Sequence, residues 1–250
     1  MFKKRFALLI TIIIAFVIGA GIIAHQSSNS INRSFKCGDS VTFAYKGSVV
    51  TYGIVESQGE CWMDRNLGAS QVAIAFNDSD AYGDLFQWGR LDDGHQDRNS
   101  GTTSTLSITD NPGHSNFIYN DFIDDNTINY SGDWRNPQND NLWQGVSGTN
   151  NPCPEGWRVP TDAEWDTELA SWSFQNYNGA FDSSLKLTMA GNRPWSDASI
   201  YEVGSDGDYW SSSAGGTDGK IASYLTFCSS NATMYIAPRS NGFSVRCIKD

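Results

Sequence analysis

Residues 153–172 read CPEGWRVPTDAEWDTELASW, and the fold turns on how that stretch is interpreted. Gly156–Pro160, GWRVP, has the bulky, β-branched character of a strand, and Pro160 stops it from running on as helix. Thr161 and Glu164 stand at the Thr-x-x-Glu spacing of a capping box. In it the hydroxyl accepts from the Glu164 backbone N–H, and the carboxylate accepts from that of Thr161. Trp165, Leu169 and Trp172 then recur at i, i+4 and i+7, a single buried helical stripe. The stretch is therefore a strand–helix junction, and no chemistry is needed to explain its residue types.

Outward from the junction the chain has two characters. Lys3, Lys4 and Arg5 precede Phe6–Ala24, FALLITIIIAFVIGAGIIA, nineteen residues without a charge. As a helix they reach about 28 Å, close to the ~30 Å of a bilayer core. Cleavable export signals have an apolar region of about 7–15 residues, so the length favours a retained anchor over a cleaved one. Residues 1–24 are expected to form a transmembrane helix with its basic end in the cytoplasm. Residues 25–36 are expected to form a polar stalk, and residues 37–250 a domain outside the cytoplasm. That places the protein in the cell membrane with a single pass, or secreted if the segment is removed.

The 250 residues include 24 Gly, 9 Trp and 10 Tyr but only 18% charged residues, the profile of a loop-rich fold with large aromatic anchors. All 28 acidic residues and 14 of the 17 basic ones follow the apolar segment, leaving the exported part formally at −14. Such a surface disfavours nucleic acid and anionic lipid as partners. Five cysteines in an oxidising setting give two disulfides and one thiol left over. Cys37 and Cys61 bracket a hairpin-like stretch and are paired locally. No C-x-x-C is present, so zinc-knuckle and thioredoxin chemistry have no support.

Residues 40–56 alternate β-branched and aromatic residues around Lys46-Gly47, the pattern of a hairpin. CWMDRNLG, residues 61–68, reads as a short strand ending in a turn, and AYGDLFQWGR, residues 81–90, as a short helix with Leu85 and Trp88 on one face. Residues 92–150, rich in Asp, Asn, Gly and Ser, are loop, with Phe117, Trp134 and Trp143 as its pegs. SLKLTMAGNRP, GDYWSSS, ASYLTFCSS, ATMYIAP and GFSVRCIK follow as strands joined by Gly/Ser/Asn turns, an antiparallel arrangement.

In order, CWMDRNLG, YGDLFQWGR, NDNLWQGV, CPEGWRVPTDAEW, LKLTMAGNR, YWSSS and GFSVRC make a signature over residues 37–250. It resembles that of the Fibrobacter succinogenes major paralogous domain family, secreted or surface-anchored bacterial domains. That family in turn looks like the C-type lectin fold of formylglycine-generating-enzyme-like domains. There an R-[LV]-P-T-x-A-E-W junction precedes a twisted antiparallel sheet ending in G-F-x-V-R, matched here by Arg158–Trp165 and Gly242–Arg246. The resemblance implies an α+β, C-type-lectin-like fold of twisted antiparallel sheets, one or two short helices and long loops. It also implies that first and last core strands are neighbours, and hence a Cys153–Cys247 bridge.

Catalysis has little to stand on. The formylglycine-generating relatives bind copper with a cysteine pair near the C-terminal end, where this chain offers only Cys228, read as a buried or incidental thiol. The Glu-Pro-Asn and Trp-Asn-Asp triplets of calcium-dependent lectins do not occur, and no Gly-x-Ser-x-Gly is present. His95 sits with Asp92, Asp93 and Asp97 but has no second His at ligand spacing, so a solvated loop is the expectation; His114 is likewise alone. No catalytic residue, metal ligand or cofactor is assigned; calcium in the Asp/Asn-rich loops would be chemically reasonable but lacks a motif. The functional expectation falls on Tyr224, Asn231, Met234, Tyr235, Arg239, Ser240 and Asn241, residue types that binding surfaces use. The reading is a membrane-anchored, non-catalytic module for a protein or glycan ligand. An exported enzyme related to formylglycine-generating enzymes and a purely structural surface protein are the alternatives.

Overall fold

A computed structural model describes residues 36–119, 132–215 and 220–250. The expected anchor at 1–24 and the stalk up to residue 35 lie outside the described residues. Among those described, no helix is long and apolar enough to cross a membrane.

The first half opens with β1 (Ser40–Tyr45), β2 (Ser48–Ser57) and β3 (Glu60–Met63), followed by the two-residue strands β4 (Phe86–Gln87), β5 (Thr102–Thr103) and β6 (Phe117–Ile118). Next come β7 (Trp157–Arg158), α1 (Asp162–Ala170) and α2 (Tyr177–Asp182). Three longer or middling strands, β8 (Gly207–Gly215), β9 (Ile221–Phe227) and β10 (Ala232–Pro238), lead to β11 (Gly242–Phe243) and β12 (Ile248–Lys249). The sheets are antiparallel except for the small β5–β6 pair, and the two α-helices are short, so the fold is α+β.

One sheet has the order β1-β2-β3-β12-β7 and the second the order β10-β9-β8. The β1–β2 hairpin turns on Lys46 and Gly47, both at positive φ, as a two-residue turn matched to strand twist requires. Its pairing of Tyr45 with Ser48 fixes the register. β12 lies between β3 and β7, Ile248 opposite both Trp62 and Arg158, which makes the first and last core strands neighbours. Both expected disulfides form, Cys37–Cys61 and Cys153–Cys247, with Cα separations of 5.2 and 5.9 Å.

The strand–helix junction has its expected chemistry. The Thr161 hydroxyl accepts from the Glu164 N–H at 3.4 Å, and Glu164 Oε2 accepts from the Thr161 N–H at 2.7 Å. The same carboxylate receives both terminal nitrogens of Arg158, at 2.7 and 2.8 Å, while Arg158 Nε donates to Asp250 at 2.8 Å. One cap therefore ties the start of α1 to β7 and to the end of the chain. Trp165, Leu169 and Trp172 are buried under it, with Trp62, Tyr209, Leu225 and Phe227.

Seven tryptophans, including Trp88, Trp134, Trp143 and Trp210, are fully buried. Burying an indole strands its N–H unless an acceptor is placed for it. Trp134 donates to the Trp88 carbonyl at 2.7 Å, Trp210 to that of Phe86 at 2.7 Å and Trp88 to that of Ser211 at 2.9 Å. Two of these acceptors lie in β4 and β8 and the third, Trp88, just after β4, so the indoles tie the segment around β4 to β8 and to the chain at Trp134 from inside. The pegs expected for the long loop, Phe117, Trp134 and Trp143, are all inaccessible to solvent.

Several expectations are corrected. Residues 81–90 form no α-helix: Gly83 and Gly89 take positive φ, and Phe86–Gln87 pair as a strand with Phe243 and Gly242. Leu85 and Trp88 are both buried, but by an extended path. SLKLTMAGNRP is not a strand, although Leu185, Leu187 and Met189 are buried. From Leu187 to Met189 its backbone N–H groups go singly to Ala180, the Tyr209 hydroxyl and Phe76, and beyond them Asn192 and Arg193 form only isolated bridges, to Tyr201 and Gly242. GFSVRCIK divides into β11 and β12, and the residues between bond across to β8, Leu67 and Met63.

His95 is not in a solvated loop but completely buried. Its Nε2 accepts from the Gln87 N–H at 3.0 Å, which places the ring proton on Nδ1, 2.8 Å from Asp93 Oδ1. Burial, aided by the nearby Arg90 charge, lowers the histidine pKa to about 4. Cys228 is partly exposed rather than buried, its Sγ 2.9 Å from the Asn231 side-chain oxygen.

Candidate functional site

Strand alternation gives the β8–β9–β10 sheet two unlike faces. Tyr209, Leu225, Phe227 and Met234 point towards the core that α1 covers. Asp208 and Trp210 pair with Thr226 and Tyr224, and Tyr224 pairs in turn with Tyr235, so these side chains share the opposite face. Tyr224 stands at its centre, half-buried, 4.6 Å from the Phe243 ring centroid and 5.9 Å from that of Trp210.

A loop following Gly191 rises beside this face and closes a cleft of about 360 Å³. Its walls are Trp195, Tyr224 and Phe243 together with Asn192, Glu202, Asp206, Asp208, Thr226 and Asn241. The loop begins at a place where only glycine fits. Gly191 has φ +69°, and a Cβ there would lie 2.2 Å from the Tyr201 carbonyl oxygen. Asn192 and Tyr201 then exchange backbone hydrogen bonds, each at 3.0 Å, and Glu202 takes a positive φ that most residues avoid. Behind the loop, Arg193 donates to the Ala198 carbonyl at 2.8 Å and to the Ser100 hydroxyl at 2.6 Å. This cation is spent on architecture and does not line the cleft.

Within the cleft the Asn192 amide nitrogen bridges Glu202 and Asp208, at 3.0 Å from the latter. Asp208 is almost completely buried, and burial raises its pKa to about 6. Bonds from Thr226 and Asn192 oppose that shift, while the Glu202 and Asp206 charges add to it. Burial also raises the Tyr224 hydroxyl, helped by Asp208 and the other acids, so Tyr224 stays a protonated donor. Among the described residues no ion pair reaches Glu202, Asp206 or Asp208. The cleft therefore holds negative charge beside aromatic surface.

Of the residues singled out from sequence, the structure brings Tyr224 and Asn241 together here; Asn241 accepts from the Trp195 N–H at 2.8 Å. Tyr235 lies on the same face and is 62% exposed. Met234 points the other way, into the core under α1, and Asn231 belongs to the turn before β10, where its carbonyl accepts from the Cys228 N–H. Arg239 and Ser240 are corrected outright, since neither has accessible surface. The Arg239 guanidinium lies 4.3 Å over Trp88 and bonds Asp140, Asp133 and the Ile221 carbonyl, while Ser240 donates to the Gly132 carbonyl.

Sequence reasoning missed Asn192, Trp195, Glu202, Asp206 and Asp208. A signal for Asp208 existed, because it shares strand parity with Trp210. The others sit in a Gly- and Asp-rich loop whose path only the tertiary fold defines. Another open concavity, lined by Asp84, Asp97, Arg98 and Ser100 among others, is crossed by the Lys46 ion pairs to Asp84 and Asp97 that fasten the hairpin tip. No three His, Cys, Asp or Glu side chains converge to hold a metal ion among the described residues. No protein-family model, curated protein or solved structure matches the chain.

Proposed function

We propose that the chain is a C-type-lectin-like, ligand-binding module of the Fibrobacter succinogenes major paralogous type, displayed outside the cytoplasm from a membrane anchor. It captures a protein or glycan ligand without transforming it. The observation that carries the reading is the cleft beside Tyr224. It combines rigid aromatic faces with hydrogen-bonding groups of fixed direction, the usual make-up of a small-ligand site. Supporting it are the ordered sequence signature, the adjacency of β7 and β12 and the bridge between Cys153 and Cys247. The outward residues of β8 and β9 give the binding face, and the loop after Gly191 gives its selectivity.

The test is a glycan and surface-protein array probed with the full chain, with and without chelator, beside Trp195→Ala. Trp195 is only partly buried, so the variant is expected to melt like the parent and to lose capture. Capture that persists undiminished would remove this cleft as the site. Failure to capture anything would remove the binding reading itself.

A further inference from the structure

Three observations narrow the ligand chemistry of the cleft, given the binding reading above. Its lining contains three carboxylates, Glu202, Asp206 and Asp208, and neither Lys nor Arg. The nearest buried cation in sequence, Arg193, directs its nitrogens to Ala198, Asp97 and Ser100 instead. The rest of the lining is of two kinds: aromatic faces from Trp195, Tyr224 and Phe243, and the amide or hydroxyl groups of Asn192, Asn241 and Thr226.

Each kind of group asks something of a ligand. Uncompensated carboxylates attract a cation and repel uronic, sialic and sulfated groups. Aromatic rings beside them favour an organic cation, since an ammonium gains from the ring quadrupole as well as from the carboxylate. The carboxylate, amide and hydroxyl oxygens of the lining can accept from several donors at once, which suits a ring carrying hydroxyls. A volume of about 360 Å³ admits one or two such rings. The carboxylates are not arranged around a common point as a metal ion would demand. A bare alkylammonium, with its few donors at one end, would leave most of the oxygens in the lining without a ligand donor.

We propose that this cleft binds an amino sugar with a free ammonium group, held by Glu202, Asp206 and Asp208 and stacked on Trp195 and Tyr224. Glu202 is exposed and Asp206 half-buried, so both can meet a ligand without rearrangement. Asp208 lies deeper, oriented by Asn192 and by its β9 neighbour Thr226.

Glucosamine, N-acetylglucosamine, glucose and a lysine amide are titrated against the full chain by calorimetry, with tryptophan fluorescence as a second readout. Glucosamine is expected to saturate the site and to bind at least about tenfold tighter than the two neutral sugars, the scale of a charge-assisted hydrogen bond. Glu202→Gln and Asp206→Asn, which preserve shape near the surface, should each remove most of that preference while leaving the thermal melt unchanged. Equal binding of glucosamine and N-acetylglucosamine, unaffected by either variant, overturns the proposal. So does a lysine amide that binds as tightly as glucosamine. If Trp195→Ala still abolishes array capture in those cases, the binding reading survives and only the ligand assignment falls. Silence towards both array and sugars defeats both.

Discussion

Acidification is the most discriminating perturbation for the buried imidazole. His95 is neutral in the folded chain because Gln87 donates to one ring nitrogen and because no water reaches the ring. A histidine titrates near 6.5 when unfolded and at about 4 here. The folded state thus resists protonation that the unfolded state accepts. Stability contributed by the neutral ring is complete above pH 6.5 and is lost as the pH falls through about 4. At about 1.4 kcal/mol per unit, the loss is about 3 kcal/mol. Asp133 and Asp208 act oppositely over the same range. Burial raises each to about 6, so their cost to folding fades as they protonate. A wild-type melt alone would blur the two effects, and the measurement is therefore a difference. Thermal unfolding is followed from pH 7.5 to 4 for the wild type and His95→Gln. The variant is expected to be the less stable at neutral pH and to close the gap by up to about 3 kcal/mol, or roughly 6–12 °C, on acidification. Asp93 titrates with the ring it accepts from, so the change belongs to the pair. Two melting curves that stay parallel from pH 7.5 to 4 would refute the assigned state of His95.

Arg246→Met should destabilise by about 3–5 kcal/mol in denaturant titration, because Asn66 and the Met63 and Leu185 carbonyls lose their buried donor. Joint replacement of Cys153 and Cys247 by Ser, opening a closed loop with a sequence separation of 94, should cost about 5 kcal/mol in the same assay. Thr161→Ala, which strips one half of the capping box, is expected to cost about 1 kcal/mol and to leave ligand capture intact.

What was legible in the sequence was what local chemistry decides. Thr161, Glu164 and the 165/169/172 spacing state a capped amphipathic turn, and Lys46-Gly47 between alternating strands states a hairpin. The pairing of residues 153 and 247 required a family likeness, since no local pattern relates positions so far apart. The misreadings share one cause. Leu85 and Trp88 stand at helical spacing, and Leu185, Leu187 and Met189 at strand spacing, yet tertiary partners bury both sets without a regular ladder. Arg239 and His95 are polar letters that read as surface, and the Trp88 ring over which Arg239 lies is distant in sequence. The cleft was half visible, through Tyr224 and Asn241, because its other half comes from a loop with no periodicity.

The nine residues from Gly242 to Asp250 knit together parts of the chain made long before them. Ser244 bonds to Asp208 and Trp210, Val245 to Leu67, Cys247 to Met63, and Asp250 to Arg158. A ribosome delivers this stitch after everything it joins, so the earlier strands wait without their central partner while synthesis proceeds. Until β12 is made, β3 and β7 lack the strand that stands between them.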